Sequence, residues 1–218
     1  MKVMILAAGR GLRLRPLTDS TPKPLLEVKG KPLIVHHLER LRAAGFSEIV
    51  INLAWLGNLI KSFLSDGSGF GVRIHYSEEP EGALETGGGV LKALPLLGSE
   101  AFLIVNADVL TDFPFETLKT ALRDGDLAHL VMVQNPPHHP QGDFHLDSSG
   151  HLLAEGTPRL TYAGIGVHHP DFFRDCVPGR FPLLPWWQKA MQAKRVSGQR
   201  YSGFWNDIGT TDGLRAIS

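Results

Sequence analysis

An α/β architecture, a doubly wound and mostly parallel sheet, is what this sequence predicts, and three observations carry the prediction. Strand-length apolar runs alternate with helix-period segments through the first half of the 218 residues. The first run, Val3 to Ala7, is apolar at every position, as a strand covered on both faces must be. Glycines and charged residues gather just after strand ends, where ligands bind in such sheets.

Pro32 opens a helix on which Leu33, Ile34, His37, Leu38 and Leu41 recur at helical spacing, and Gly45 ends it. Glu48 to Leu53 reads as a strand, Trp55 to Leu64 as a helix, Val72 to Tyr76 as a strand and Thr86 to Leu94 as a helix. Phe102 to Asn106 is the next strand, followed by a helix over Phe115 to Leu122 and a strand over Leu127 to Val133. Beyond residue 134 the rhythm changes. Phe144 to Leu146 and Leu152-Leu153 read as short antiparallel strands around the Ser148-Ser149-Gly150 turn. Thr161 to His168 is a longer strand, and Leu183 to Ala193 a helix. No repeat, low-complexity tract or linker interrupts the chain. Residues 1–218 are therefore expected to form one domain, with a doubly wound portion over about 1–134 and an added substrate-binding portion over about 135–218.

Bulk composition narrows the function. Lys+Arg and Asp+Glu balance at 22 each, so no basic field exists to hold a nucleic acid backbone. The opening apolar run is too short for a secretory signal, and no stretch approaches a bilayer-crossing length. The lone Cys176 excludes an internal disulfide and suits a reducing cytoplasm, with inert packing its expected role. The pairs His36-His37, His138-His139 and His168-His169 have poor chelating spacing, because adjacent side chains diverge, and are read as surface or core packing. Trp186-Trp187 is read as core plus one exposed face, a possible contribution to a dimer; monomer and homodimer both stay open.

The strongest signal follows the first strand: Leu6-Ala7-Ala8-Gly9-Arg10-Gly11-Leu12-Arg13-Leu14-Arg15-Pro16, then Thr21-Pro22-Lys23-Pro24-Leu25. Glycines at 9 and 11 permit turns closed to other residues and aim N–H groups at an anion. Arg13, Arg15 and Lys23 add positive charge, a combination suited to a triphosphate. The dinucleotide fingerprint fails because its third glycine position is Leu14, which argues against a dehydrogenase, and no Gly-Lys-Ser/Thr of a Walker loop appears. Asp108, after the strand ending at Asn106, and Asp207, in Trp205-Asn206-Asp207-Ile208-Gly209-Thr210, are a second signal. Read singly, each suits a helix N-cap as well as a metal, Asp207 lying just before a predicted terminal helix. Together they are what a magnesium–nucleotide site requires. The third signal is Pro80-Glu81-Gly82-Ala83-Leu84-Glu85-Thr86-Gly87-Gly88-Gly89, where three glycines at a helix start speak for a closely packed ligand rather than for helix stability.

Residues 6–25 resemble the signature of the sugar-1-phosphate nucleotidyltransferases, L-A-A-G-x-G-x-R-x-x-P with P-K-P-L downstream. That resemblance implies a Rossmann-like doubly wound, mostly parallel mixed sheet of the nucleotide-diphospho-sugar transferase type, with a small antiparallel sugar-binding portion. It implies Arg13, Lys23 and Asp108 as catalytic residues and Mg2+ held by Asp108 and Asp207. Nucleotide binding would fall to Ala7, Ala8, Gly9, Gly11, Arg13, Lys23, Leu84, Thr86, Gly87 and Asn106. Ala107 stands where the family commonly has glycine.

Sugar-phosphate recognition is expected from Gly142, Asp143, Glu155 and Gly164. Gly164 marks either a close ligand approach or a bulge, and the usual Lys-Pro companion of the family's sugar-contacting Glu is replaced by Gly156-Thr157-Pro158. Within the family the chain is similar to the bacterial N-acetylmuramate-1-phosphate uridylyltransferases of cell-wall recycling. The stretches that carry this are Ile51 to Gly57, Leu84 to Gly89, Ala93 to Gly98, and Asn135 to His139 with Gly142-Asp143-Phe144. The implied substrates are UTP and a sugar-1-phosphate. Mannose-1-phosphate guanylyltransferase is the alternative within the family, and an inactive nucleotide-binding regulator on the same fold is the alternative of another class. The presence of Arg13, Lys23, Asp108 and Asp207 favours activity.

Overall fold

The computed structural model describes residues 1–80, 84–209 and Leu214. Its centre is four parallel strands: β1 (Val3–Leu6), β4 (Glu48–Leu53), β5 (Arg73–Glu78) and β6 (Phe102–Asn106). Two short strands, β2 (Glu27–Val28) and β3 (Lys31–Pro32), form a hairpin between β1 and β4. β1 lies between β4 and β6, so the strand order reverses direction at β1. The cleft beyond the carboxyl ends of β1 and β6 is therefore the place this topology offers to a ligand.

The side chains of β1 explain its unbroken apolar run. Val3 and Ile5 enter one buried cluster, which includes Ile34, Leu38 and Leu41 of α2 (Leu33–Ala43) and Ile60 and Leu64 of α3 (Gly57–Leu64). Met4 enters the cluster on the opposite face, with Val90, Ala93 and Leu97 of α4 (Glu85–Leu97) and Trp187 and Met191 of α5 (Leu184–Gln192). The four-residue helix α1 (Leu17–Ser20) belongs to the loop after β1. α2 ends as its sequence foretells: Gly45 takes φ 78°, its N–H donates to the Arg42 carbonyl and that of Phe46 to Leu41.

The second half continues the sheet instead of standing apart from it. β11 (Arg159–His168) runs antiparallel to β6 and to β8 (Ala128–Val133), and β12 (Val196–Arg200) lies parallel to β8. β9 (Phe144–Leu146) and β10 (Leu152–Leu153) pair beside the start of β11, forming the small antiparallel portion. A separate ribbon pairs β7 (Val109–Thr111) with β13 (Trp205–Asp207).

Differences from the sequence reading are local. The segment expected as a helix over Phe115 to Leu122 is a 3₁₀ stretch ending at Thr120. β12 escaped notice because Val-Ser-Gly-Gln-Arg has no apolar run, although its first three residues are buried. The Glu81-Gly82-Ala83 part of the third signal, Thr210, and the helix expected after Asp207 lie outside the described residues.

Candidate active site

Beyond the ends of β1 and β6 lies a cavity of about 620 Å³, lined by residues 6–14 with Lys23, Pro24, Asn52, Glu79, Glu85, Thr86, Asn106, Ala107, Asp108, Arg180 and Gly209. A neighbouring cavity of about 310 Å³ is lined by Arg13, Asn106, Asp108, Val109, His138, His139, Asp143, Thr161 to Gly164, Trp205 and Asp207. Arg13, Asn106 and Asp108 belong to both walls, so the two spaces meet at those three side chains.

The glycine loop is anchored from beneath. Leu14 is fully buried against Leu26, Val28, Leu33, Leu110 and Ile208, which explains why an apolar residue stands where a dinucleotide fingerprint needs glycine. Gly11 takes φ 62°, and its carbonyl accepts from the Leu14 N–H at 2.9 Å and the Thr18 hydroxyl at 2.9 Å. A Cβ there would meet Thr18 Cγ2 at 2.9 Å. Gly9 is different. It has no left-handed φ and open space where a Cβ would point, so its turn does not demand glycine, although it lines the wall. Ala7 and Ala8 also line it, but the Ala7 N–H is committed to Asn52 Oδ1 at 2.8 Å.

The cations separate cleanly. Lys23 Nζ lies 2.7 Å from Asp108 Oδ2. Arg13 has no ion pair among the described residues and borders both cavities. Arg10 stacks over Trp55 at 4.9 Å and lines the larger cavity. Arg15, expected to contribute charge, instead pairs with Asp19 at 3.0 Å on the exposed side of the loop and lines neither wall. A 3₁₀ turn over Leu12–Leu14 buries Leu14 and leaves Arg13 toward the site and Arg15 away from it.

The β7–β13 ribbon brings the two aspartates together: Asp207 pairs with Val109, and the Ile208 N–H donates to the Asp108 carbonyl at 2.8 Å. Both line the smaller cavity. In the structure each carboxylate faces a nitrogen, Asp108 that of Lys23 and Asp207 Nε2 of His138 at 3.1 Å. Two carboxylates in the wall of one cavity are ligands suited to a hard divalent cation, which completes its shell from further oxygen donors. His37 packs beneath Asp108. Burial lowers its pKa to about 4, against the opposing pull of the Asp108 charge and a hydrogen bond to the Ala107 backbone.

The glycine run in α4 requires a correction. What approaches it is the chain itself. Cβ atoms at Gly87, Gly88 and Gly89 would fall 2.4 Å from the Phe181 ring, 2.1 Å from the Gly179 carbonyl and 2.5 Å from Glu79 Oε1. The N–H groups of Gly87 and Gly88 donate to the Phe181 carbonyl, and the Phe181 N–H donates to the Leu84 carbonyl. Leu84 and Gly87 are thus held by a strap around residues 179–183 and stand outside the cavity wall, whereas Thr86 lines it while accepting from the Leu183 N–H at 3.1 Å. Arg180, on that strap, reaches the cavity and pairs with Glu85 at 3.0 Å.

In the smaller cavity Asp143 lines the wall, accepting from the Tyr162 N–H at 2.7 Å and contacting His139 at 3.0 Å. Gly164 lines it too. Its φ of 72° and the register shift between Tyr162 and Gly166 decide for a bulge, tightly packed on Asn106. Gly142, with φ 63°, packs against Asn135, Glu155 is exposed after β10, and neither lines a cavity. Trp205, from the ribbon, donates to the Ala163 carbonyl at 2.9 Å and closes the side.

His138 and His139 were read as packing, and both line the cavity. They sit in a turn rather than on a helix or strand, so alternation of faces does not separate them. Glu79 and Arg180 carried no motif, and Asn52 entered only as part of the Ile51 to Gly57 stretch, with no role assigned. Asn52 lies near the end of β4, next to the switch strand β1, and Glu79 directly follows β5, one strand further out, carboxyl-end positions that could have drawn attention to them. Cys176 fits its inert reading, its thiol pKa pushed up to about 11 by burial and by Asp175. No helix of the described residues is long and apolar enough to cross a membrane.

This cleft, and the parallel sheet beneath it, belong to a nucleotide-handling transferase. The chain is a member of the nucleotidyl transferase family, whose sequence profile matches residues 2–152, and falls among its sugar-1-phosphate enzymes. Over 99% of its length it is 53% identical to the N-acetylmuramate alpha-1-phosphate uridylyltransferase of Neisseria meningitidis serogroup B, covering 96% of that protein. The enzyme of the same name from Caulobacter vibrioides is 34% identical over 94% of this chain and 90% of its own. A mannose-1-phosphate guanyltransferase of Hypocrea jecorina is 32% identical over 96% of this chain and 61% of its own. Among solved structures, HddC from Yersinia pseudotuberculosis, in complex with GMP-PN, superposes with a TM-score of 0.80 at 20% identity, covering 99% of this chain and 97% of that one. That likeness shows the same fold.

Proposed function

We propose that the protein transfers UMP from UTP to N-acetylmuramate-1-phosphate, giving UDP-N-acetylmuramate and pyrophosphate, as a magnesium-dependent step of cell-wall recycling in the cytoplasm. The observation that carries this reading is the meeting of a cavity lined by the glycine loop and Lys23 with a second, polar cavity at Arg13, Asn106 and Asp108. The near full-length similarity to the Neisseria enzyme supports the choice of nucleotide and sugar.

The larger cavity takes the nucleotide, with the loop from Gly9 to Arg13 and Lys23 around its phosphates. The sugar phosphate enters the smaller cavity, among Asp143, the Gly164 bulge and Trp205. Its second pKa is about 6, so its oxygen is already anionic at neutral pH and needs no general base. That oxygen attacks the α-phosphorus, the α–β bridging bond breaks, and pyrophosphate leaves. Arg13 borders both cavities, so it can neutralise the incoming phosphate and the α-phosphate together. Asp108 and Asp207 would hold magnesium, which supplies further countercharge to the phosphate oxygens. Lys23 both orients Asp108 and faces the nucleotide cavity.

The test is pyrophosphate release with magnesium, pairing UTP or GTP with N-acetylmuramate-1-phosphate, N-acetylglucosamine-1-phosphate or mannose-1-phosphate. Selective turnover of UTP with the muramate phosphate supports the proposal. GTP with mannose phosphate moves the chain to the guanylyltransferases, and no turnover by folded protein turns it into a nucleotide-binding regulator.

A further inference from the structure

We propose that Asn52 and Glu79 are positioning residues that fix the phosphate loop and the start of α4 at one separation, and so align the nucleotide; this rests on the nucleotide reading of the larger cavity. Three hydrogen bonds in series make the link. The Ala7 N–H, at the entrance to the glycine loop, donates to Asn52 Oδ1 at 2.8 Å. Asn52 Nδ2 donates to Glu79 Oε1 at 2.6 Å, and the Leu84 N–H donates to Glu79 Oε2 at 2.7 Å.

Both side chains of the relay spring from backbone held by the sheet. Asn52 is 3% exposed and pairs in register with Leu6 on one side and Ser77 on the other. The Glu79 N–H donates to the Leu53 carbonyl at 2.7 Å. Gly89 makes room for it, since a Cβ there would stand 2.5 Å from Glu79 Oε1 and 3.0 Å from Asn52 Nδ2. Both side chains line the nucleotide cavity, so the relay is part of the wall it positions.

The chemistry of the relay dictates its own test. Asn52 must accept from Ala7 and donate to Glu79, and Glu79 must accept twice. Glu79→Gln offers one acceptor where two donors point, so either the Asn52 amide or the Leu84 N–H faces an N–H group. Asn52→Asp sets two carboxylates 2.6 Å apart. The double variant Asn52→Asp/Glu79→Gln restores every bond with the middle one reversed, because the new amide donates to the new carboxylate and still accepts from Leu84.

The experiment measures UTP binding with Mg2+ by titration calorimetry, then KM for UTP and for the sugar phosphate, on the full chain and the three variants. An unmet buried donor corresponds to roughly a tenfold or greater loss. Each single variant is expected to weaken UTP binding and raise its KM by about that factor while KM for the sugar phosphate is unchanged, and the double variant to recover. A purely structural role would lower the melting temperature and shift both KM values together. Should Asn52→Asp fail to fold, the half-buried Glu79→Gln and the double variant carry the test. Single variants that bind UTP like the wild type, or a double variant worse than either single, overturn the relay. A wild-type chain that binds no UTP overturns the nucleotide reading, and the relay's role with it.

Discussion

Replacing Gly88 by alanine sets two opposing effects against each other, and the structure decides between them. In a helix interior, alanine ordinarily stabilises by about 1 kcal/mol relative to glycine. Gly88 lies inside α4 and is buried. A Cβ there would sit 2.1 Å from the Gly179 carbonyl oxygen and 3.0 Å from Leu84 Cβ. Ordinary C···O contacts start near ~3.3 Å, so the strap must withdraw by more than about 1 Å. No rotamer relieves a clash with backbone. Withdrawal strains three bonds, Phe181 N–H to Leu84 and those of Gly87 and Gly88 to Phe181, all 3.0–3.1 Å long. Overpacking costs about 1–3 kcal/mol and each lost hydrogen bond about 1 kcal/mol. The net expectation is destabilisation by roughly 2–3 kcal/mol, a fall of about 5–10 °C in melting temperature for a chain of this size. Thermal unfolding followed by circular dichroism reads it, with Gly69→Ala as control, since open space and an ordinary φ await a Cβ there. KM for UTP should rise in the same variant, because Arg180 rides on the strap and lines the larger cavity, where the nucleotide is proposed to bind. An unchanged or raised melting temperature for Gly88→Ala would refute the reasoning.

Arg13→Ala should cost about 100-fold or more in turnover, the scale of losing one preorganised charge, whereas Arg15→Ala should leave steady-state kinetics within about twofold, because its partner Asp19 is on the solvent side. Lys23→Ala and Asp108→Asn should each lower turnover strongly while keeping the fold, read by pyrophosphate release beside the circular dichroism spectrum. An active Asp108→Asn variant with unchanged magnesium dependence would sink the metal assignment. His168, fully buried and accepting from the Trp187 ring N–H at 2.9 Å, has its pKa lowered to about 3 by burial. Its folded pKa lies below the unfolded one, so the unfolded chain binds the extra proton. The stability it contributes is complete above about pH 6.5 and is lost as pH falls toward 3, about 2 kcal/mol between pH 7 and pH 5. Melting temperatures measured across that range should decline accordingly, and a flat profile would contradict the burial of a neutral ring.

Much of this protein was legible in one dimension. Period and apolarity gave β1, β4, β6 and α2 within a residue or two, since each buries a continuous run or a regular stripe. Local chemistry picked out Gly11, Arg13 and Lys23, which line the larger cavity, because a loop draws its parts from neighbouring positions in the chain, and it picked out Asp108 and Asp207, which line the smaller one, as strand-end carboxylates. Only the tertiary structure decided how distant parts meet. The ribbon of β7 and β13 joins Asp108 to Asp207, and a strap from near residue 180 explains Gly87 and Gly88 of α4, while Glu79 and Asn52 explain Gly89. Arg13 was separated from Arg15, and His138 and His139 were moved from packing into the site, by a turn whose side-chain directions no periodicity encodes. The relay through Asn52 and Glu79 was invisible for the same reason. Patterning reports which face of an element is buried, whereas hydrogen bonds between elements depend on register and distance, which exist only once the sheet has formed.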